Sequence, residues 1–199
     1  MGRRKEKKQD TKKNSLLESL NEGEASIVLR RLLVAHADLD TEAEEIAKAV
    51  LRDDNFEDIA EDVYDSIQVL EYDELNGRAG RHEWGYVEPG EAAAEILSET
   101  VGHLLDDLKR RVDLVMEEEA LEMCKGLVLG LYRLDHDGGG ELLQWAPEFT
   151  VETAAYALEI WRDGFRRGES RQHAMLQDFV NQFVPDWKDM IIRVVSRSR

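Results

Sequence analysis

Proline occurs three times in 199 residues, at Pro89, Pro147 and Pro185, and never inside a stretch of helical periodicity. Proline removes an amide donor and collides with the preceding turn, so its scarcity leaves long segments free to run as unbroken helices. The apolar residues recur at matching steps. Val28, Leu29, Leu32 and Leu33 mark one helical face, preceded by Asn21 and Glu24 at the spacing of a capping box. Ala43, Ile46, Ala47, Val50 and Leu51 mark a second, with Thr41 and Glu44 repeating the capping pattern. After Asn55, Phe56, Ile59, Ala60, Val63, Ile67 and Leu70 form the clearest amphipathic stripe in the chain.

The second half reads the same way. Ala93, Ile96, Leu97, Val101, Leu104, Leu108, Val112 and Val115 continue at helical spacing, with Gly102 allowing a bend. A helix over 117–134 puts Ala120, Leu121, Cys124, Leu127, Val128 and Leu131 inside, and its Gly126 and Gly130 let a neighbouring backbone come close. Thr150 precedes a helix carrying Val151, Ala154, Ala155, Leu158, Trp161 and Phe165, and a final pair is built on 175–183 and 187–194. No segment alternates apolar and polar residues long enough to predict a strand. The expected fold is all-α, antiparallel helical hairpins forming a bundle or a short superhelical stack, without a fixed repeat period. Residues 1–14 read as a basic, disordered tail and 15–199 as a single domain, with N-terminal helices over 15–72, a loop over 76–89 and C-terminal helices over 90–195.

Charge is divided unevenly. The formal net charge is −17, yet residues 1–13 hold seven basic and two acidic residues, +5, which leaves −22 on the remainder. A body so acidic repels phosphates, so nucleic acid is expected as a partner only through the basic tail. The single cysteine, Cys124, excludes an internal disulfide or a cysteine-based zinc cluster and fits a reducing compartment. No apolar run reaches membrane-span length, and the basic start lacks the apolar segment of a secretory signal, so no membrane partner and a cytoplasmic location are expected.

Polar chemistry gathers in two loops. Arg78, Arg81, His82, Glu83, Trp84, Tyr86 and Glu88 supply donors, acceptors and aromatic faces suited to a peptide or an anion. Arg78, Arg81, His82, Trp84 and Tyr86 are therefore the candidate binding residues. The competing reading has Trp84 and Tyr86 packing the loop onto the helices while the arginines pair with neighbouring acids. The second loop, Asp135 to Pro147, places Asp135, Asp137 and Glu141 close together, but Gly139 and Ala146 stand where a calcium loop of the EF-hand pattern needs oxygen ligands, so ordinary loop polarity is the expectation. Cys124 sits on an apolar stripe, which favours a core residue over a nucleophile served by His82, His103 or His136. Glu99 to His103 and Glu169 to His173 are one residue too long for a helical di-iron motif, and no phosphate loop or nucleophile elbow occurs. Arg162, Arg166, Arg167 and Arg171 form a basic cluster, read either as an anion-binding patch or as the solvated end of a helix.

The run Arg78-Ala-Gly-Arg-His-Glu-Trp-Gly-Tyr-Val-Glu-Pro-Gly-Glu-Ala-Ala-Ala94, with Cys124-Lys-Gly, Gly130-Leu-Tyr-Arg133 and Trp145-Ala-Pro147, resembles a group of small prokaryotic helical proteins over roughly residues 20–165. The resemblance implies a helical body and carries no activity with it. More distantly, the layout is similar to the helical region that accompanies SWIM-type zinc fingers. The zinc-binding Cys and His residues of such fingers have no counterpart here, so the similarity implies no metal site. The sequence thus predicts a non-enzymatic protein-interaction module that presents the 78–88 loop to a protein partner, with no catalytic residues, metal or cofactor assigned and the oligomeric state open. The alternative is a metal-dependent or other enzyme whose site is assembled from dispersed histidines and acids.

Overall fold

A computed structural model describes residues 16–52, 55–83, 85–165 and 170–196. It is all-α apart from one small hairpin of strands. Its internal contacts gather into two units, one ending at Ala49 and one beginning at Val50.

In the first unit a short 3-10 turn, Leu16–Ser19, precedes helix α1, Glu22–Ala35. The expected capping box is present: the Asn21 side chain accepts from the Glu24 amide at 2.9 Å and the Glu24 carboxylate accepts from the Asn21 amide at 3.1 Å. A 3-10 turn, Ala37–Leu39, leads into α2, Asp40–Arg52. Since α2 already begins at Asp40, Thr41 lies inside its first turn and does not cap it, contrary to the sequence pattern. No residue of α1 is buried.

The second unit is built around one helix. α3, Phe56–Gln68, starts at Asn55, whose side chain accepts from the amides of Glu57 and Asp58. Then come α4, Tyr72–Arg78, strands β1, Gly80–His82, and β2, Gly85–Val87, and the long α5, Pro89–Asp113, with Pro89 at its first position. α6, Glu117–Asp137, is followed by a 3-10 turn, Glu141–Gln144, and by α7, Phe149–Gly164. α8, Ser170–Phe183, and α9, Lys188–Val195, flank the 3-10 turn Pro185–Trp187.

α6 is the axis of this unit, buried along almost its whole middle and packed by α3, α5, α7 and α8. The closest approach is that of α3. A Cβ placed on Gly126 would lie 2.5 Å from the Ile59 side chain, and one on Gly130 would lie 2.6 Å from Val63 Cβ and 2.7 Å from the Ala60 carbonyl oxygen. The two glycines, one turn apart, thus form a trough that seats the apolar stripe of α3. Elsewhere Gly164 of α7 meets Val112 of α5 in the same manner.

Several expectations are revised. The 76–89 loop includes the end of α4 and both strands. α5 runs through Gly102 and stops at Asp113, and Val115, read as part of the apolar stripe, has a positive φ of 58° and is exposed. Thr150 is buried inside α7 and donates to Asp135 Oδ1 at 3.2 Å across the preceding loop. Arg162 is buried, its Nη1 donating to the Val194 carbonyl at 2.6 Å, so it pins α7 to the end of α9 and is neither an anion patch nor a solvated helix end. Arg166 and Arg167 lie outside the described residues, as does the side chain of Arg171.

The glycine trough makes opposite predictions for one substitution. Gly→Ala in a helix gains up to about 1 kcal/mol of intrinsic propensity. Gly102→Ala, with open space around its Cβ, should realise that gain. Gly130→Ala, pressed against α3 backbone, should instead destabilise by about 2 kcal/mol through overpacking. Urea unfolding of the two variants measures both signs.

Candidate functional site

The hairpin of β1 and β2 is fixed at its base before it presents anything. Cross-strand partners are Gly80 with Val87, Arg81 with Tyr86 and His82 with Gly85. Directly opposed residues share a face of a two-stranded ladder. Val87 is half-buried and packs against the core, which assigns the Arg81 and Tyr86 face to the outside. Gly80 and Gly85 take positive φ values of 105° and 148°, conformations that side chains strongly disfavour.

The candidate residues then divide. Arg78, at the end of α4, donates through Nη2 to Glu99 Oε2 on α5 at 2.6 Å. The hydrogen bond to Arg78 holds the Glu99 carboxyl below its ordinary range, and the same bond raises the guanidinium in turn. His82 places Nε2 2.7 Å from the Arg78 carbonyl oxygen. These two residues close the hairpin onto α4 and α5, which answers to the structural reading of the loop. Arg81 and Tyr86 are exposed, Tyr86 by 62%, and neither side chain makes a hydrogen bond or ion pair among the described residues. Trp84 lies outside the described residues.

No family model, curated protein or solved structure matches the chain.

The second polar loop is spoken for. α6 ends at Gly138, in the left-handed region with φ 66°, and the chain turns through Gly140. Asp135 accepts from Thr150, while Glu141 Oε2 accepts from the Tyr72 amide at 3.0 Å and so satisfies a free donor at the start of α4. Asp135 and Glu141 are drawn to different neighbours, and among the described residues no group of three or more His, Cys, Asp or Glu side chains is placed to hold a metal ion.

One cluster was not anticipated from the sequence. Tyr132 and His136, one turn apart on α6, bring their ring centroids within 3.9 Å at a tilt of 31°. Both reach Asp186: the Tyr132 hydroxyl donates to Oδ2 at 2.9 Å, and His136 Nε2 lies 3.0 Å from the same oxygen. Trp187 meets Tyr132 edge-on at 5.3 Å. The hydroxyl and the imidazole together lower the Asp186 carboxyl from its ordinary value, whereas burial, followed by Asp186 itself, raises the Tyr132 hydroxyl. The separation of 54 residues between Tyr132 and Asp186 hides this clasp from any reading of linear spacing. His82, His103 and His136 are carried on β1, α5 and α6, and Cys124 is enclosed in the core, where burial pushes its thiol up to about 12 against a smaller opposing effect of Lys125.

Two measurements follow. Cys124 should resist a thiol reagent at pH 8 in the native protein and react fully in denaturant, because neither access nor thiolate is present in the fold. Asp186→Asn should lower the thermal midpoint at neutral pH. The native carboxyl titrates below its unfolded counterpart, so its contribution is complete above the unfolded pKa of about 4 and is lost as pH falls through the native value. The gap between wild type and variant should accordingly close on acidification.

Proposed function

We propose that the chain is a helical protein-interaction module whose binding element is the β1–β2 hairpin, with Arg81 and Tyr86 as its contact pair. The observation that carries this reading is the contrast within the hairpin. Arg78 and His82 are occupied in holding it to α4 and α5, while Arg81 and Tyr86 stand side by side, exposed and without a hydrogen bond or ion pair among the described residues. Arginine and tyrosine supply a large share of the binding energy at protein interfaces, the one through its planar donors and the other through a rigid amphipathic ring. A pair already fixed in register gives up little conformational freedom on binding. An arginine beside an aromatic face suits an extended acidic or aromatic peptide segment of a protein partner.

A photo-crosslinking residue in place of Tyr86 in the full chain should capture that partner. Arg81→Ala and Tyr86→Ala should each weaken its binding about tenfold, with the helical circular dichroism signal unchanged. Glu99→Gln, which releases Arg78 and loosens the base of the hairpin, should weaken binding without touching the contact pair. Equal recovery of the same partner by the Arg81→Ala, Tyr86→Ala double variant would overturn the proposal.

A further inference from the structure

Arg81 and Tyr86 offer more than their side chains. Residues 83 and 84 close the hairpin, and in so short a connection the residues that flank it, His82 and Gly85, exchange both backbone hydrogen bonds. Bonded and non-bonded pairs alternate along an antiparallel ladder. Gly80 and Val87 are therefore bonded to each other, whereas the amides and carbonyls of Arg81 and Tyr86 point away from the neighbouring strand, towards the two edges. Neither backbone is bonded to another element among the described residues.

An unpaired strand edge is a row of alternating donors and acceptors, and its natural complement is another extended backbone. The two edges differ in access. Along β1, Ala79, Gly80 and His82 are half-buried, the Ala79 amide already donates to the Leu75 carbonyl at 2.8 Å, and the His82 ring is turned to the end of α4. Along β2, Gly85, Tyr86 and Glu88 are exposed. Glu88 stays extended, at φ −67° and ψ 142°, so its amide continues this edge, while its carbonyl accepts from the Ala92 amide at 3.0 Å. An incoming strand thus meets the N–H and C=O of Tyr86 and the N–H of Glu88. Antiparallel addition lets a single residue exchange both bonds with Tyr86, the more stable of the two directions.

The side chains select the segment. Tyr86 and Glu88, two residues apart in extended chain, share the outer face, and the exposed Glu88 carboxylate makes no hydrogen bond or ion pair among the described residues. Opposite Tyr86 an aromatic residue pairs well, and opposite Glu88 an acid is repelled and a base attracted. The negative charge of the body acts in the same sense at longer range. Taking the hairpin as the binding element, we infer that its partner contributes a basic, aromatic segment that adds to β2 as an antiparallel third strand, with an aromatic residue opposite Tyr86 and a lysine or arginine opposite Glu88.

The probe is a heptapeptide of threonines with a lysine at its third position and a tyrosine at its fifth, added to the isotope-labelled full chain. In amide NMR spectra the Tyr86 and Glu88 signals should shift, and that of Arg81, on the far edge, should move much less. N-methylation of the peptide's tyrosine amide should weaken binding about tenfold, whereas N-methylation of the next amide, which points away from β2, should leave it within about twofold. Glutamate in place of the peptide's lysine should weaken binding up to about fivefold, and Glu88→Lys should reverse that preference. A peptide that moves neither amide, that is indifferent to which amide is methylated, or whose charge preference survives Glu88→Lys would overturn strand addition. So would Tyr86 and Glu88 amides already protected from hydrogen exchange without peptide, the mark of an edge paired with a second copy. The hairpin's role as binding element is judged separately, by whether the partner captured at Tyr86 is lost from the Arg81→Ala, Tyr86→Ala double variant.

Discussion

The closeness of α3 to α6 is the constraint from which the arrangement of the second unit follows. Two missing side chains, at Gly126 and Gly130, bring the Ile59 and Val63 side chains and the Ala60 carbonyl against the backbone of α6. With α3 seated there, α5, α7 and α8 pack against the other sides of the same helix. The cost of two glycines in a helix interior is offset by this contact, since an interior packed to crystal density gains from every atom brought within van der Waals range. The hairpin proposed for binding depends on the same geometry: α4 packs against α5, and the hairpin between them is held at its base by the Arg78–Glu99 pair.

The helical core was legible because it obeys a period. Asn21 caps where its spacing predicts, the stripe of α3 is buried at Ile59, Ala60, Val63 and Ile67, and Gly126 and Gly130 do admit a neighbouring backbone. What the sequence concealed was decided by partners far along the chain. Strands of three residues are too short to show alternation, and each includes a glycine, so β1 and β2 read as loop. Arg162 looks like one more basic residue near a helix end until the Val194 carbonyl, 32 residues on, is seen to accept from it. In the site the residue types were readable and their division of labour was not. Nothing local distinguishes Arg78 from Arg81, because Glu99, which engages only the first, lies 21 residues away.

The acidity of the body also gains a structural meaning. A large negative charge is commonly a property of the surface alone, serving solubility. Here individual carboxylates act as acceptors that tie the ends of elements to their neighbours: Glu141 to the start of α4, Asp135 to Thr150, Asp186 to Tyr132 and Glu99 to Arg78. Charge-assisted bonds of this kind are directional as well as favourable, so they place loops that apolar packing alone leaves loosely specified.

The order in which the chain is made bears on the glycine trough. Ile59 and Gly126 are separated by roughly 70 residues, which at ribosomal speeds correspond to several seconds of synthesis. Throughout that interval the stripe of α3 has been translated while the trough that receives it has not. The α3 segment therefore emerges with its apolar stripe but without its seat, and non-local closure of this kind slows folding. The acids scattered along its other face, Glu57, Asp58, Glu61, Asp62 and Asp65, are suited to keeping the nascent segment dispersed until α6 follows.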